Sequence, residues 1–133
     1  MNHLLSIDQY NYDTLHSLFE NVAKEKYGFI ETSYSKKVQI ATLFYEPSTR
    51  TSASFHSAAT QLGYSVLPIN EVTYSSVTKG ETLEDTIRTI GSYVDLIVLR
   101  HGEKGASKKA ASVSQVPIIN AGDGIGEHPT QTL

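Results

Sequence analysis

VQIATLFYEPSTRTSASFHSAATQLG, Val38–Gly63, is the stretch that decides the fold. Val38 to Tyr45 is a β-branched and aromatic run of strand length. Glu46-Pro47 follows, then Ser48-Thr49-Arg50-Thr51. Beyond these, Phe55, Ala58, Ala59 and Leu62 fall on one face of a helix that Gly63 ends. Three hydroxyls and an arginine thus stand where a strand hands over to a helix. Ser48 or Thr49 can cap that helix, and its first amides have no partner within it. The helix dipole adds positive character there, and Arg50 offers a fork of donors matched to phosphate oxygens. With no acidic residue in the first turn, the junction suits an anion. A plain capped helix with a solvated Arg50 explains the same residues, and the stretch alone does not separate the two.

The rest of the chain supplies the context. Leu15, Leu18, Phe19, Val22 and Ala23 repeat at helical spacing, with Asn11 or Asp13 as cap and Gly28 as stop. Ser65 to Ile69 is a short strand, and Pro68 within it favours an edge position. Asn70 to Gly80 is polar and aperiodic, a long loop. Leu83, Ile87, Ile90 and Val94 mark a helix that begins near Glu81 or Thr82. Asp95 to Arg100 is a buried-strand run ending in arginine. Glu103 to Val113 is an exposed helix rich in Lys and Ala, and Val116 to Asn120 a fourth strand before a glycine-rich loop. Pro129 suits the first turn of a further helix.

Alternating helices and strands predict an α/β three-layer sandwich: a central four-stranded parallel sheet flanked by helices on both faces. Ligands of such sheets bind outside the carboxyl ends of the strands. The segments to inspect are therefore Glu46–Thr51, the loop from Asn70 to Gly80, Arg100-His101 and Ala121–Gln131.

Composition narrows the functional classes. The chain has 133 residues, 39% hydrophobic and 19% charged, the balance of one globular domain. Its net charge of −3 argues against nucleic acid or an acidic membrane as partner, so any anion site is local. Without cysteine there is no disulfide, no thiolate chemistry and no Cys-based zinc site. The N-terminus lacks the layout of a signal peptide, and no apolar run approaches the ~18 residues that span a bilayer. A cytoplasmic protein is the expectation. The histidines form no ligand-spaced pair, so no metal site is expected.

Two nucleotide motifs are excluded. No G-x-x-x-x-G-K-[ST] occurs, and in GDGIGE the residue that a dinucleotide fingerprint would need as glycine is Glu127. Taken singly, Arg100 could snorkel to solvent, His128 could be incidental and Lys79 a solvated loop charge. Jointly, two arginines, several hydroxyls and a histidine come from carboxyl ends of one sheet. That set suits acyl-type transfer from a phosphorylated donor. Cations and a helix terminus would hold the phosphate, and donors would surround a carbonyl oxygen that becomes negative.

The segments FYEPSTRTSASFHSAATQLG, KGETLEDTI, VLRH and NAGDGIGEHPTQTL together resemble the carbamoyl-phosphate-binding half of aspartate carbamoyltransferases. Ser-Thr-Arg-Thr marks carbamoyltransferases as a group, while KGET, NAGDG and HPTQ favour the aspartate enzyme. The resemblance implies that Ser48, Thr49, Arg50 and Thr51 bind the phosphate of carbamoyl phosphate, with Thr51 also reaching its carbonyl oxygen. Arg100 would bridge phosphate and carbonyl, His128 would donate to the carbonyl, and Gln131 would accept from the carbamoyl amino group. Thr51, Arg100 and His128 are thereby the catalytic candidates. Ser75 and Lys79 would enter from a neighbouring subunit of a homotrimer.

The implied reaction is attack by the α-amino group of L-aspartate on the carbamoyl carbon. It gives N-carbamoyl-L-aspartate and phosphate, an early step of pyrimidine synthesis, with no cofactor. The family's aspartate-binding domain is expected to be absent from residues 1–133, which on that expectation bind the donor without turnover. A regulatory chain is left open. The competing readings are the donor domain of an ornithine or other amine carbamoyltransferase, and a non-catalytic module for phosphate binding or oligomerisation.

Overall fold

The structure, a computed structural model, describes residues 2–26, 37–70 and 80–133. Among them lie four strands, β1 (Gln39–Phe44), β2 (Ser65–Asn70), β3 (Leu96–His101) and β4 (Ile118–Asp123). A 3-10 turn at Ile7–Gln9 precedes the first of five helices, α1 (Tyr12–Lys26), α2 (Thr49–Gln61), α3 (Leu83–Gly91), α4 (Ala106–Val113) and α5 (Pro129–Thr132). The helix stop expected at Gly28 lies outside the described residues. So does the body of the loop expected from Asn70 to Gly80, including Ser75 and Lys79.

Every strand pair is parallel and the sheet order is β2-β1-β3-β4. The first connection steps toward one edge, and the next two step toward the other. Because crossovers are right-handed, that reversal sends α2 to one face and α3 with α4 to the opposite face. The packing agrees. Ile40, Phe44, Val98 and Ala121 gather with Ala59 of α2. Ala41, Leu43, Ile97, Leu99 and Ile118 gather with Ile87 of α3 and Ala110 of α4. Neighbouring residues on β1 and β3 thus serve opposite cores, which is why both strands read as unbroken apolar runs.

The sheet edges differ in cover. Beyond β4 the N-terminal segment adds a parallel bridge, Leu4 to Ile119. There Leu4 N donates to Ile118 O at 2.9 Å, and Asn120 N donates to Leu4 O at 2.8 Å. β2 is the other edge strand, as Pro68 led one to expect, and none of its residues is buried.

Several sequence expectations need correction. β4 starts two residues later than Val116 and runs on through Ala121, Gly122 and Asp123, which were read as loop. A register shift between Leu99 and His101 lets His101 pair with Asp123, so the ladder continues past the irregularity. α4 is shorter than Glu103–Val113 and is not simply exposed. Ala106, Ser107 and Ala110 are buried, while Lys109 reaches Glu84 of α3 at 3.0 Å. α1 forms as its periodicity demands, and Asn11 rather than Asp13 caps it. Asn11 Oδ1 accepts from Thr14 N, and Thr14 Oγ1 accepts from Asn11 N, both at 2.9 Å. Yet no residue of α1 is buried, with Phe19 49% and Val22 54% exposed.

Leu99 is fully buried at the centre of the larger core. Leu99→Ala is expected to lower the unfolding free energy by about 2–5 kcal/mol in urea titration. Val22→Ser on α1 should change it by no more than about 0.5 kcal/mol. Equal effects would contradict this assignment of the core.

Candidate anion site at the strand-order reversal

The sheet order reverses between β1 and β3, so a crevice opens at their carboxyl ends. Ser48 stands at the N-cap of α2 with φ −153° and ψ 89°, but its side chain makes no cap hydrogen bond. The expectation that Ser48 or Thr49 caps the helix through its hydroxyl is therefore not met. The amides of the first turn stay directed outward, and that turn contains no acidic residue. Thr51 is buried at 5% exposure, while Thr49 and Arg50 are exposed on the same turn.

Arg100 lies in register with Phe44 of the neighbouring strand. It continues the even-numbered side of β3, whose Leu96 and Val98 pack with the α2 core. Its guanidinium is therefore delivered to the face and rim from which α2 begins. Nη1 donates to Ala121 O at 3.0 Å, Nη2 lies 3.8 Å from Glu46 Oε2, and Nε is buried without a hydrogen-bond partner. Arg100 does not merely snorkel to solvent, since only 25% of its side chain is exposed.

His128 occupies the N-cap of α5, just before Pro129. Its Nδ1 lies 3.2 Å from Thr130 Oγ1, and its Nε2 is buried with no partner. Burial, aided by the Arg100 cation, holds its pKa below the usual 6.5. The neutral ring is therefore favoured near pH 7. In the tautomer where the Thr130 hydroxyl donates to Nδ1, the ring hydrogen sits on Nε2, and that buried nitrogen is a donor.

Arg100 and His128 meet over Gly122. A Cβ there would stand 2.7 Å from Arg100 Nη1 and 3.5 Å from His128 Cδ2, and the residue has φ +115°. The backbone conformation calls for glycine, and the bare main chain lets Arg100 and His128 come close above it. Gln131 is exposed on α5, its backbone N donating to His128 O at 2.9 Å.

Sequence reasoning missed four members of this region. Glu46 brings a carboxylate to Arg100, and Gly102 leaves room for it: a Cβ on Gly102 would stand 2.8 Å from Glu46 Oε1. Asn120, Asp123 and Glu127 tie down the loop that carries His128. The NAGDG motif contained the first two, but only the contacts reveal their use. Beside the cluster lies an open cavity of about 390 Å³, lined among others by Phe44, Glu46, Ser48, Thr49, His56 and Asn70. Glu46 belongs both to this cavity and to the Arg100 cluster. Among the described residues no group of three or more His, Asp or Glu is placed to hold a metal ion.

The arrangement offers a cation, a neutral imidazole donor and an uncapped helix start on one rim. Comparison with known proteins points the same way. Residues 2–133 match the family described as aspartate/ornithine carbamoyltransferase, carbamoyl-P binding domain. Aspartate carbamoyltransferase 2, chloroplastic, of Pisum sativum is 48% identical over 137 residues, covering 100% of this chain and 36% of the relative. The catalytic subunit of aspartate carbamoyltransferase from Methanococcus vannielii is 46% identical, with 100% and 45% covered. Among solved structures, the catalytic subunit of M. Jannaschii aspartate transcarbamoylase superposes with a TM-score of 0.89 at 44% identity, over 99% of this chain and 44% of that one. The Trypanosoma cruzi aspartate transcarbamoylase in complex with carbamoyl phosphate gives 0.84 at 38% identity, over 98% and 41%. The chain thus spans less than half the length of these relatives.

In an NMR pH titration His128 should show a midpoint below 6.5, and Arg100→Gln should raise it by removing a neighbouring cation. Folding favours the neutral ring. The stability His128 contributes is therefore complete above the ordinary midpoint and lost as pH falls through the depressed one. A midpoint at or above 6.5 in the unsubstituted chain would refute the burial.

Proposed function

The chain belongs to the aspartate/ornithine carbamoyltransferase family, and on that premise we propose that residues 1–133 form the carbamoyl-phosphate-binding domain of an aspartate carbamoyltransferase. The observation that carries the proposal is the convergence of Arg100 and His128 on Gly122, each presenting a buried nitrogen without a partner, at the rim where α2 begins uncapped. Two buried nitrogens without partners beside a helix start are what a small phosphorylated carbonyl compound would satisfy.

In this reading Ser48, Thr49, Arg50 and the amides of the first turn of α2 take the phosphate. Thr51 and His128 donate to the carbonyl oxygen, and Arg100 bridges the two ends. Gln131 would accept from the carbamoyl amino group. The α-amino group of L-aspartate attacks the carbamoyl carbon, the C–O bond to phosphate breaks, and N-carbamoyl-L-aspartate and phosphate leave. The protein positions the reactants and stabilises the oxyanion; none of these groups needs to become a covalent nucleophile.

The relatives extend well past the matched part, and the acceptor is proposed to bind in that remainder. Residues 1–133 by themselves are proposed to hold the donor without turning it over. A homotrimer in which a neighbour contributes Ser75 and Lys79 belongs to the proposal, as does placement in the cytoplasm. The pea relative is named as chloroplastic. No described helix is long and apolar enough to cross a membrane.

Calorimetry with inorganic phosphate and carbamoyl phosphate tests the site, and Arg50→Ala should weaken both. In the full-length enzyme His128→Ala should lower kcat about 10²–10³-fold, or about 2.7–4 kcal/mol, with KM little changed. Turnover with ornithine and not with aspartate would overturn the acceptor assignment.

A further inference from the structure

Asn120 is 1% exposed, one of the few polar side chains in the interior. Both hydrogens of its carboxamide and its oxygen have partners. Nδ2 donates to Leu5 O at 3.0 Å and to Glu127 O at 3.1 Å, while Oδ1 accepts from Gly122 N at 2.9 Å. Two carbonyls on one side and an N–H on the other fix the orientation of the amide.

These partners are not scattered. Gly122 is the residue on which Arg100 and His128 both rest. Glu127 O belongs to the peptide that joins Glu127 to His128. Leu5 belongs to the N-terminal segment, which is fastened to the same loop again: the Glu127 carboxylate accepts from Ser6 Oγ at 3.0 Å and from Ile7 N at 3.1 Å. From the far side Asp123 accepts from Glu127 N at 2.8 Å and from Gly105 N at 3.0 Å. The His128 loop is therefore clamped between β4, the start of α4 and the N-terminal segment, with the Asn120 side chain bonded both to the floor of the site and to the His128 peptide.

We propose that Asn120 is a positioning residue of the carbamoyl-donor site, setting the Gly122 main chain beneath Arg100 and the peptide that delivers His128, and coupling both to the N-terminal segment. The assignment rests on the function proposed above and extends it to a residue that touches no substrate. An apolar residue in its place would leave two carbonyls and an amide N–H unpaired in the interior. An aspartate would keep the bond from Gly122 N but turn an oxygen toward two carbonyl oxygens.

The test uses the 133-residue chain with Asn120→Asp, Glu127→Ala and, as a control in the core packed by α3, Ile87→Val. Two quantities are read: the NMR titration of the His128 imidazole, and the affinity for inorganic phosphate by calorimetry. Asn120→Asp should move the His128 midpoint and weaken phosphate binding about tenfold. Glu127→Ala, which loosens the same peptide only by releasing Ser6 Oγ and Ile7 N, should move both less. Ile87→Val should lower Tm and leave both unchanged. A folded Asn120→Asp chain with the unsubstituted titration and affinity overturns the proposal. Should that variant not fold, Asn120→Ser, which stays polar but is too short to reach both carbonyls, takes its place, and an unmoved titration and affinity in it overturn the proposal. Failure of the unsubstituted chain to bind phosphate would count against the donor site itself, and the titration would still decide whether Asn120 governs His128.

Discussion

A guanidinium at the end of an apolar strand has to be solvated by the protein, and most of the site follows from how Arg100 is accommodated. The three residues before it, Ile97, Val98 and Leu99, are at most 1% exposed. A cation drawn in that far is costly unless oxygen surrounds it. Ala121 O answers one nitrogen at hydrogen-bond distance, and the Glu46 carboxylate stands off at 3.8 Å, too far for a true hydrogen bond. Charge is balanced loosely and geometry is left incomplete, with Nε unanswered. On the function proposed above, a guanidinium kept half-satisfied is ready for an incoming anion.

The sheet makes this accommodation cheap. Arg100 sits beside the register shift between β3 and β4, where the ladder loosens and Gly122 supplies a surface without side-chain atoms. His128 reaches the same surface from the loop after β4. Its lowered basicity and its nearness to Arg100 are two aspects of one enclosure, because water removed from one is removed from both.

Much of the fold was legible in the sequence because strands buried on both faces leave so little freedom in composition. VQIATLFY and DLIVLR could be little else, and the order of elements then implied a parallel sheet. Arg50, Arg100 and His128 were legible as candidates since strand ends are where such sheets place chemistry. What could not be read was pairing. NAGDG reads as turn-forming residues until the His101–Asp123 register shows it to be strand, and nothing in the one-dimensional pattern announces that Asn120 addresses residues 115 positions before it and 7 after. The stripe on α1 was read correctly as helical, yet periodicity reports an apolar face and not what covers it. The missing hydroxyl cap at Ser48 was equally invisible, because the residue type suits a cap whether or not its side chain turns to make one.

The two borders of the sheet carry a last consequence. A parallel sheet with bare borders is a template on which another chain can add a strand, and stacked additions lead toward fibrils. On one border Leu4 occupies part of the pairing positions of β4; on the other the outermost strand contains Pro68, which lacks the N–H that a newcomer would need. Neither device strengthens the core. Each caps lateral growth, so that a concentrated solution of the domain is guarded against polymerising through its own backbone.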